Sequence, residues 1–278
     1  MICVKLTNGF GNNLFQYNAA RLLADFHNTK VIAIPPSSDY YGIKCLESIG
    51  VSFGGTENNQ KNIHVNGNEH YVKCFNKSYS GYNIILSGYF EDYRFFVPAR
   101  KKIKKWYPRV INRNDKDLVI HLRTGDRLFM KNEFYSKPKA DDYINALKNF
   151  DFENLHIVTD MPVWRHIEPE ELMNIKFHVN VPPSERVPIA DSVDYFNSLV
   201  DAFDKYSPIV GKRNVGEDFN FIRSFNNILF EHGTLSWWAA FLSDADKVGV
   251  YGPWRPWKGA TNKNLSNVPL SNWFKWGV

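Results

Sequence analysis

Several features that would each announce a class of protein are scarce in this chain. Its 278 residues hold three cysteines, Cys3, Cys45 and Cys74. They form no CxxC pair and leave an odd thiol, which argues against a zinc site and a disulfide framework and favours a reducing compartment. No run of about 18 uninterrupted apolar residues occurs, and the first residues enter a strand-like segment with neither a basic n-region nor an apolar h-region. The expectation is a soluble, cytoplasmic protein with no membrane segment. Basic blocks are also few: RKKIKK at residues 100 to 105 is the densest, reads as a solvated helix face, and leaves no nucleic-acid footprint. Residues 36 to 80, rich in Asn, Gly, Ser and Tyr, show no low-complexity repeat and no periodicity strong enough to place an element.

What is present is material for a core. The chain is 44% hydrophobic and 15% aromatic, with a formal net charge of +5. That is a globular composition, sufficient for one large or two moderate domains, and its mild basicity suits a phosphate-bearing ligand.

Strand and helix patterns alternate. An apolar run ending at Leu6, a helix over residues 14 to 26 and the strand VIAIP at 31 to 35 form one strand, helix, strand unit, which implies a parallel sheet. NIILSGYF (83 to 90) reads as a strand, and residues 92 to 106 as a helix that Pro98 interrupts or starts. Tyr107-Pro108 followed by INRNDKD is the best boundary signal. Beyond it come strands in DLVIHLR, NLHIVTD and KFHVNV, helices in DDYINALKNF, residues 169 to 174 and DSVDYFNSLVDAFDKY, then helix and strand in FNFIRSFNNILFEHG. The expected fold is α/β: two facing Rossmann-like domains with parallel sheets, residues 1 to 110 and 111 to 278. Ligands in such sheets sit at the carboxyl ends of the strands, so the cleft between the domains is the expected site.

Three stretches carry chemistry. In VKLTNGFGNNLFQYNAARLLA (4 to 24), Gly9 and Gly11 allow a tight turn or a close backbone approach, and the helix that follows presents unpaired N–H groups. In VIHLRTGDR (119 to 127), a short strand delivers His121 and Arg123 on one face and a glycine turn places Asp126 just beyond its end. An arginine there suits phosphate, because its planar fork donates two parallel hydrogen bonds. In EHGTLSWWAAFLS (231 to 243), Gly233, Thr234 and Ser236 precede an apolar helix, while Trp237, Trp238 and Phe241 read as core.

Taken together, GFGNNLFQY, LSGYFEDYRFF, HLRTGD, VTDMPVW, GEDFNFIRSFNNILFEHGTLSWWAAFLS and YGPWRPW follow the order and approximate spacing of the α-1,2-fucosyltransferase family, glycosyltransferase family 11. The chain resembles that family from residue 6 to about residue 257. It departs at Thr124, where the family has a second Arg, and at Asn13, Leu235 and Ala239. The resemblance implies a GT-B architecture with the nucleotide sugar held mainly by the C-terminal domain and the acceptor by the N-terminal one. It implies an inverting, metal-independent transfer with no cofactor: a sugar, L-fucose from GDP-fucose in the first instance, moves to a hydroxyl of a glycan. UDP-xylose is the rival donor, and a catalytically silent glycan-binding module with exposed aromatics in residues 36 to 110 is the reading from another class. The sequence agrees on the metal, since its DAD at 244 to 246 follows a helix and no DxD stands at a strand end. Arg123 would neutralise the departing diphosphate, aided by Gly9, Gly11, Asn12, His121, Thr234 and Ser236. Asp126 and Glu133 are the two candidates for the base. Glu217 and Asp218, in the GED that matches the family, either bind the nucleotide or cap a helix. The oligomeric state is left open.

Overall fold

A computed structural model of the chain describes residues 1–7, 9–36, 42–54, 60–110, 113–131, 137–175, 182–252 and 269–277. The protein is α/β, with two parallel sheets. The first half runs β1 (Ile2–Lys5), α1 (Phe10–Phe26), β2 (Val31–Ile34), α2 (Ile43–Ser48), β3 (Lys61–Val65), α3 (Asn68–Lys73), β4 (Tyr82–Leu86), α4 (Tyr93–Phe96) and α5 (Arg100–Lys104). The second half runs β5 (Asn114–Leu122), α6 (Ala140–Leu147), β6 (Leu155–Thr159), α7 (Pro169–Asn174), α8 (Ile189–Asp204), β7 (Ile209–Val210), α9 (Val215–Arg223), β8 (Phe225–Phe230), α10 (Thr234–Leu242), β9 (Lys247–Tyr251) and β10 (Trp273–Trp276). Strand order is β2-β1-β4-β3 in one sheet and β10-β9-β8-β5-β6-β7 in the other, with every pairing parallel. Among the described residues no helix is long and apolar enough to cross a membrane.

These orders fix where ligands can enter. In the second sheet the chain winds outward from β5 through β6 to β7, then returns to β8 and winds the other way, so the order reverses between β5 and β8. In the first sheet the reversal falls between β1 and β4. At such a reversal the flanking connections leave on opposite faces and open a crevice at the carboxyl ends of the strands.

Two helices bring the crevices together. Every residue of α10 from Ser236 to Leu242 is buried, as expected of a helix that is apolar all round, and α1 is buried along most of its length. They pack on each other. The Phe15 ring lies 5.0 Å from Trp237 and 4.9 Å from Trp238, and one hydrophobic core runs from Ile2 through α1 to Phe219, Trp238 and Val250. Gly11 sits at the crossing, where a Cβ would overlap the backbone of Thr234 and Leu235.

The structure revises the sequence reading in several places. Helix α1 begins at Phe10, four residues early, because Gly9 takes φ 102° as its N-cap, a conformation open to glycine. Elements α2, β3 and α3 occupy a stretch where none was expected; β3 is an edge strand whose sequence KNIHV is mostly exposed. Residues 92 to 106 form α4 and α5, with the break at residues 97 to 99 around Pro98. The basic run is more than a solvated face: Arg100 donates to the carbonyls of Phe241 at 2.7 Å and Ser243 at 2.6 Å, and Lys104 pairs with Asp244, so the run caps the carboxyl end of α10. The KFHVNV strand, the YGPWRPW turn beyond Gly252 and Glu133 lie outside the described residues.

Candidate functional site

Arg123 is the first residue after β5, at the reversal point. Its guanidinium Nη2 donates to Asp126 Oδ1 at 3.2 Å, and its Nε lies 3.9 Å from Asp160 Oδ2 at the end of β6. Its backbone N–H donates at 2.6 Å to the carboxylate of Glu231, the residue that follows β8. Gly233 lies against it: a Cβ there would sit 3.5 Å from the guanidinium, at ordinary contact distance. Arg127 Nε lies 3.9 Å from the same Asp126 oxygen. Thr124, where the resemblance would put a second arginine, is buried and pairs with Thr159; it stitches β5 to β6.

His121 sits one turn of the pleat behind Arg123. It is buried, its Nδ1 is bonded to Ser236 Oγ, and its pKa is pushed down to about 3 by burial and, secondarily, by Arg123. The ring is therefore neutral, and the pair fastens the start of α10 to β5. Beside this bond, α10 presents the unpaired N–H groups and positive pole of its first turn.

The first half closes on the same place. Thr234 Oγ1 donates to Asn12 Oδ1 at 2.8 Å, tying α10 to α1 across 222 residues of chain. Gly11 is buried in the helix crossing, where it lets two backbones meet. Gly9, partly exposed, fixes the start of α1. Behind it, Thr7 N–H donates to Asn13 Oδ1 at 3.1 Å and Gln16 Oε1 at 3.0 Å, and Gln16 Nε2 donates to Gly88 O at 3.1 Å. The amides brace the crevice between β1 and β4.

Glu217 and Asp218 resolve unequally. Glu217 Oε2 accepts from Asn214 N–H at 2.7 Å while Asn214 Oδ1 accepts from Gly216 and Glu217, which is a capping box on α9. Asp218 Oδ1 accepts from Arg213 Nε at 2.9 Å. Burial raises its pKa to about 6 against the pull of Arg213, and Asp160 adds to the rise, so Asp218 and Asp160 feel each other across the strand ends.

Two acids were not singled out from the sequence. Asp160 closes VTD, at the same strand-end level as Arg123, with its side chain half exposed; partial desolvation raises its pKa, Arg123 opposes the rise and Asp126 adds to it. Glu231 is buried and also raised, to about 7, by burial against the pull of Arg123, Tyr143 and Arg127. Their signal is positional: each directly follows a parallel strand. Neither of two cavities, about 380 Å³ beside Arg21 and about 530 Å³ beside Phe26 and Tyr71, is bordered by Arg123, so the site is identified by its converging chemistry.

No family model and no curated protein matches the chain. The resemblance stated above therefore rests on the motifs alone. Chemically, the strand ends gather a guanidinium, two helix starts and several carboxyls: an anion-binding pole beside groups able to hold a proton.

Proposed function

We propose that the protein is an inverting glycosyltransferase of GT-B type, with Rossmann-like N- and C-terminal domains meeting near residue 110. In this reading it moves a sugar, L-fucose from GDP-fucose in the first instance, to a hydroxyl of a glycan acceptor. The observation that carries the reading is the position of Arg123 beside the first turn of α10, at the β5/β8 reversal and opposite the start of α1. A diphosphate leaving group develops charge that a fixed guanidinium and helix N–H groups stabilise without reorganisation. Inversion in one displacement needs an acceptor for the hydroxyl proton. Asp126 and Glu133 are joined as candidates by Asp160, whose carboxyl lies at the same strand ends. The first half supplies the wall on the acceptor side.

The test is a thermal-shift and turnover screen of GDP-fucose against UDP-sugars, UDP-xylose included, with and without EDTA. A ligand at 100 times its Kd adds about 2.7 kcal/mol of stability. Stabilisation by a GDP-sugar with EDTA-resistant turnover supports the reading; stabilisation by UDP-xylose instead keeps the reaction and changes the donor. No stabilisation by any nucleotide sugar, or turnover abolished by chelation and rescued by Mn²⁺, overturns it. The glycan-binding module has less support: among the described aromatics of residues 36 to 110, Tyr82 and Tyr89 are the exposed ones, a small platform.

A further inference from the structure

The buried carboxyl of Glu231 has no place in the transfer just described, yet it touches the clamp. It lies directly after β8 with 2% of its surface exposed, and it accepts the Arg123 backbone N–H at 2.6 Å. Arg123 and Arg127 face it from the end of β5 and the turn that follows, and the Tyr143 hydroxyl, on α6, favours its charged form. Lys137 faces it from the segment before α6 and also faces Asp191; Tyr251, at the end of β9, faces both Glu231 and Asp142. A carboxylate so placed does two opposed things. Its oxygen fixes the turn that aims Arg123, and its charge offsets the guanidinium that an anion would need.

Resting on the proposed diphosphate site, we propose that Glu231 is the positioning residue of the Arg123 clamp and takes up one proton from solvent when a nucleoside diphosphate docks. The carboxylate is converted to the acid as the anion arrives, so the hydrogen bond that orients Arg123 is kept while the competing negative charge is removed. Binding an anion raises the proton affinity of a nearby carboxylate, and by linkage the proton tightens the anion. The site is then self-adjusting: one acid keeps Arg123 aimed when empty and steps aside electrostatically when filled.

The experiment measures the Kd of GDP by calorimetry from pH 6 to pH 8 for the wild type, Glu231→Gln and Arg123→Ala, in two buffers of different ionisation enthalpy. Glutamine keeps the acceptor oxygen and cannot titrate. Comparison between the proteins cancels the protonation of GDP itself. The two affinities should agree at pH 6, and at pH 8 the wild type should bind about tenfold more weakly than Glu231→Gln, as expected of a charge one residue away in a partly desolvated site. The wild type should take up more protons per GDP than Glu231→Gln near pH 7. Tyr143→Phe, which keeps Glu231 and removes a hydroxyl that favours its charged form, should move the divergence to higher pH, and it serves if Glu231→Gln fails to fold. Parallel pH dependence in wild type and both variants, with stability alone altered, overturns the proposal and leaves the site standing. Failure of the wild type to bind GDP any better than Arg123→Ala overturns the site and the proposal together.

Discussion

The strand ends of the two sheets are furnished differently. At the carboxyl ends of β1 and β4, neutral groups are linked: Thr7, Asn13, Gln16 and the Gly88 carbonyl are joined by hydrogen bonds. At the β5/β8 crevice they are charged, with Arg123, Asp126, Arg127, Asp160 and Glu231 within reach of one another. Closed neutral networks rigidify without creating a field; clustered charges create a field and need a rigid frame to be useful. On the proposed transfer, the difference would give the electrostatics to the second half and alignment to the first. It also makes the seam between them, at Gly11 and at Asn12 with Thr234, the place where the two roles are joined.

The largest effect should come from the charged crevice. Arg123→Ala is expected to lower kcat/KM for the nucleotide sugar about a hundredfold or more, the scale of losing one preorganised electrostatic group. Stability in urea should move by less than about 1 kcal/mol, since the side chain is partly exposed and empties no core. Near-normal turnover would shift the charge stabilisation to Arg127 and break the assignment.

Next is the seam. Gly11→Ala adds a Cβ where the Thr234 and Leu235 backbones already stand, and overpacking of this kind costs about 1 to 3 kcal/mol. The cost should register as a lower urea midpoint with the m-value unchanged. A variant as stable as the wild type would mean the halves part easily at this crossing, and the division of labour would lose its rigid frame.

The same contrast explains what was legible. Arg123 could be read from sequence because a strand pattern and a glycine turn are local signals, and the start of α10 because small and hydroxyl residues precede an apolar helix. Asp160 and Glu231 could not, since an acid after a strand gains meaning only when the strand order puts β6 and β8 on either side of β5. Edge strand β3 was hidden by its exposed residues, which leave no alternation. The start of α1 was misplaced because Asn12 and Asn13 favour caps, whereas Gly9 took the cap and their side chains serve Thr234 and Thr7. Gly11 was legible as a close approach, but its partner was another helix.

A smaller effect measures the seam's one polar bond. Asn12→Ala, Thr234→Ala and the double variant form a cycle whose coupling energy in urea denaturation should be about 1 kcal/mol, the net worth of a partly buried hydrogen bond. A coupling near zero would leave Gly11 packing as what aligns the halves.

The smallest effect should be at Glu217, which decides how far the charged crevice extends. If its carboxylate serves the capping box, Glu217→Ala loses the bond to the Asn214 N–H and some favourable charge at the start of α9, together about 0.5 to 1 kcal/mol of stability. Affinity for the nucleotide should then stay within about twofold of wild type, because Asn214 still accepts from Gly216 and continues to cap the helix. Asp218→Asn is the informative partner. It keeps the shape beside Arg213 but removes a charge that acts on Asp160, so it should alter nucleotide affinity more than Glu217→Ala does. Calorimetric titration of both variants with GDP separates the cases. A tenfold loss in Glu217→Ala, with the helix intact by circular dichroism, would place Glu217 against the ligand and carry the charged crevice from β6 onto α9.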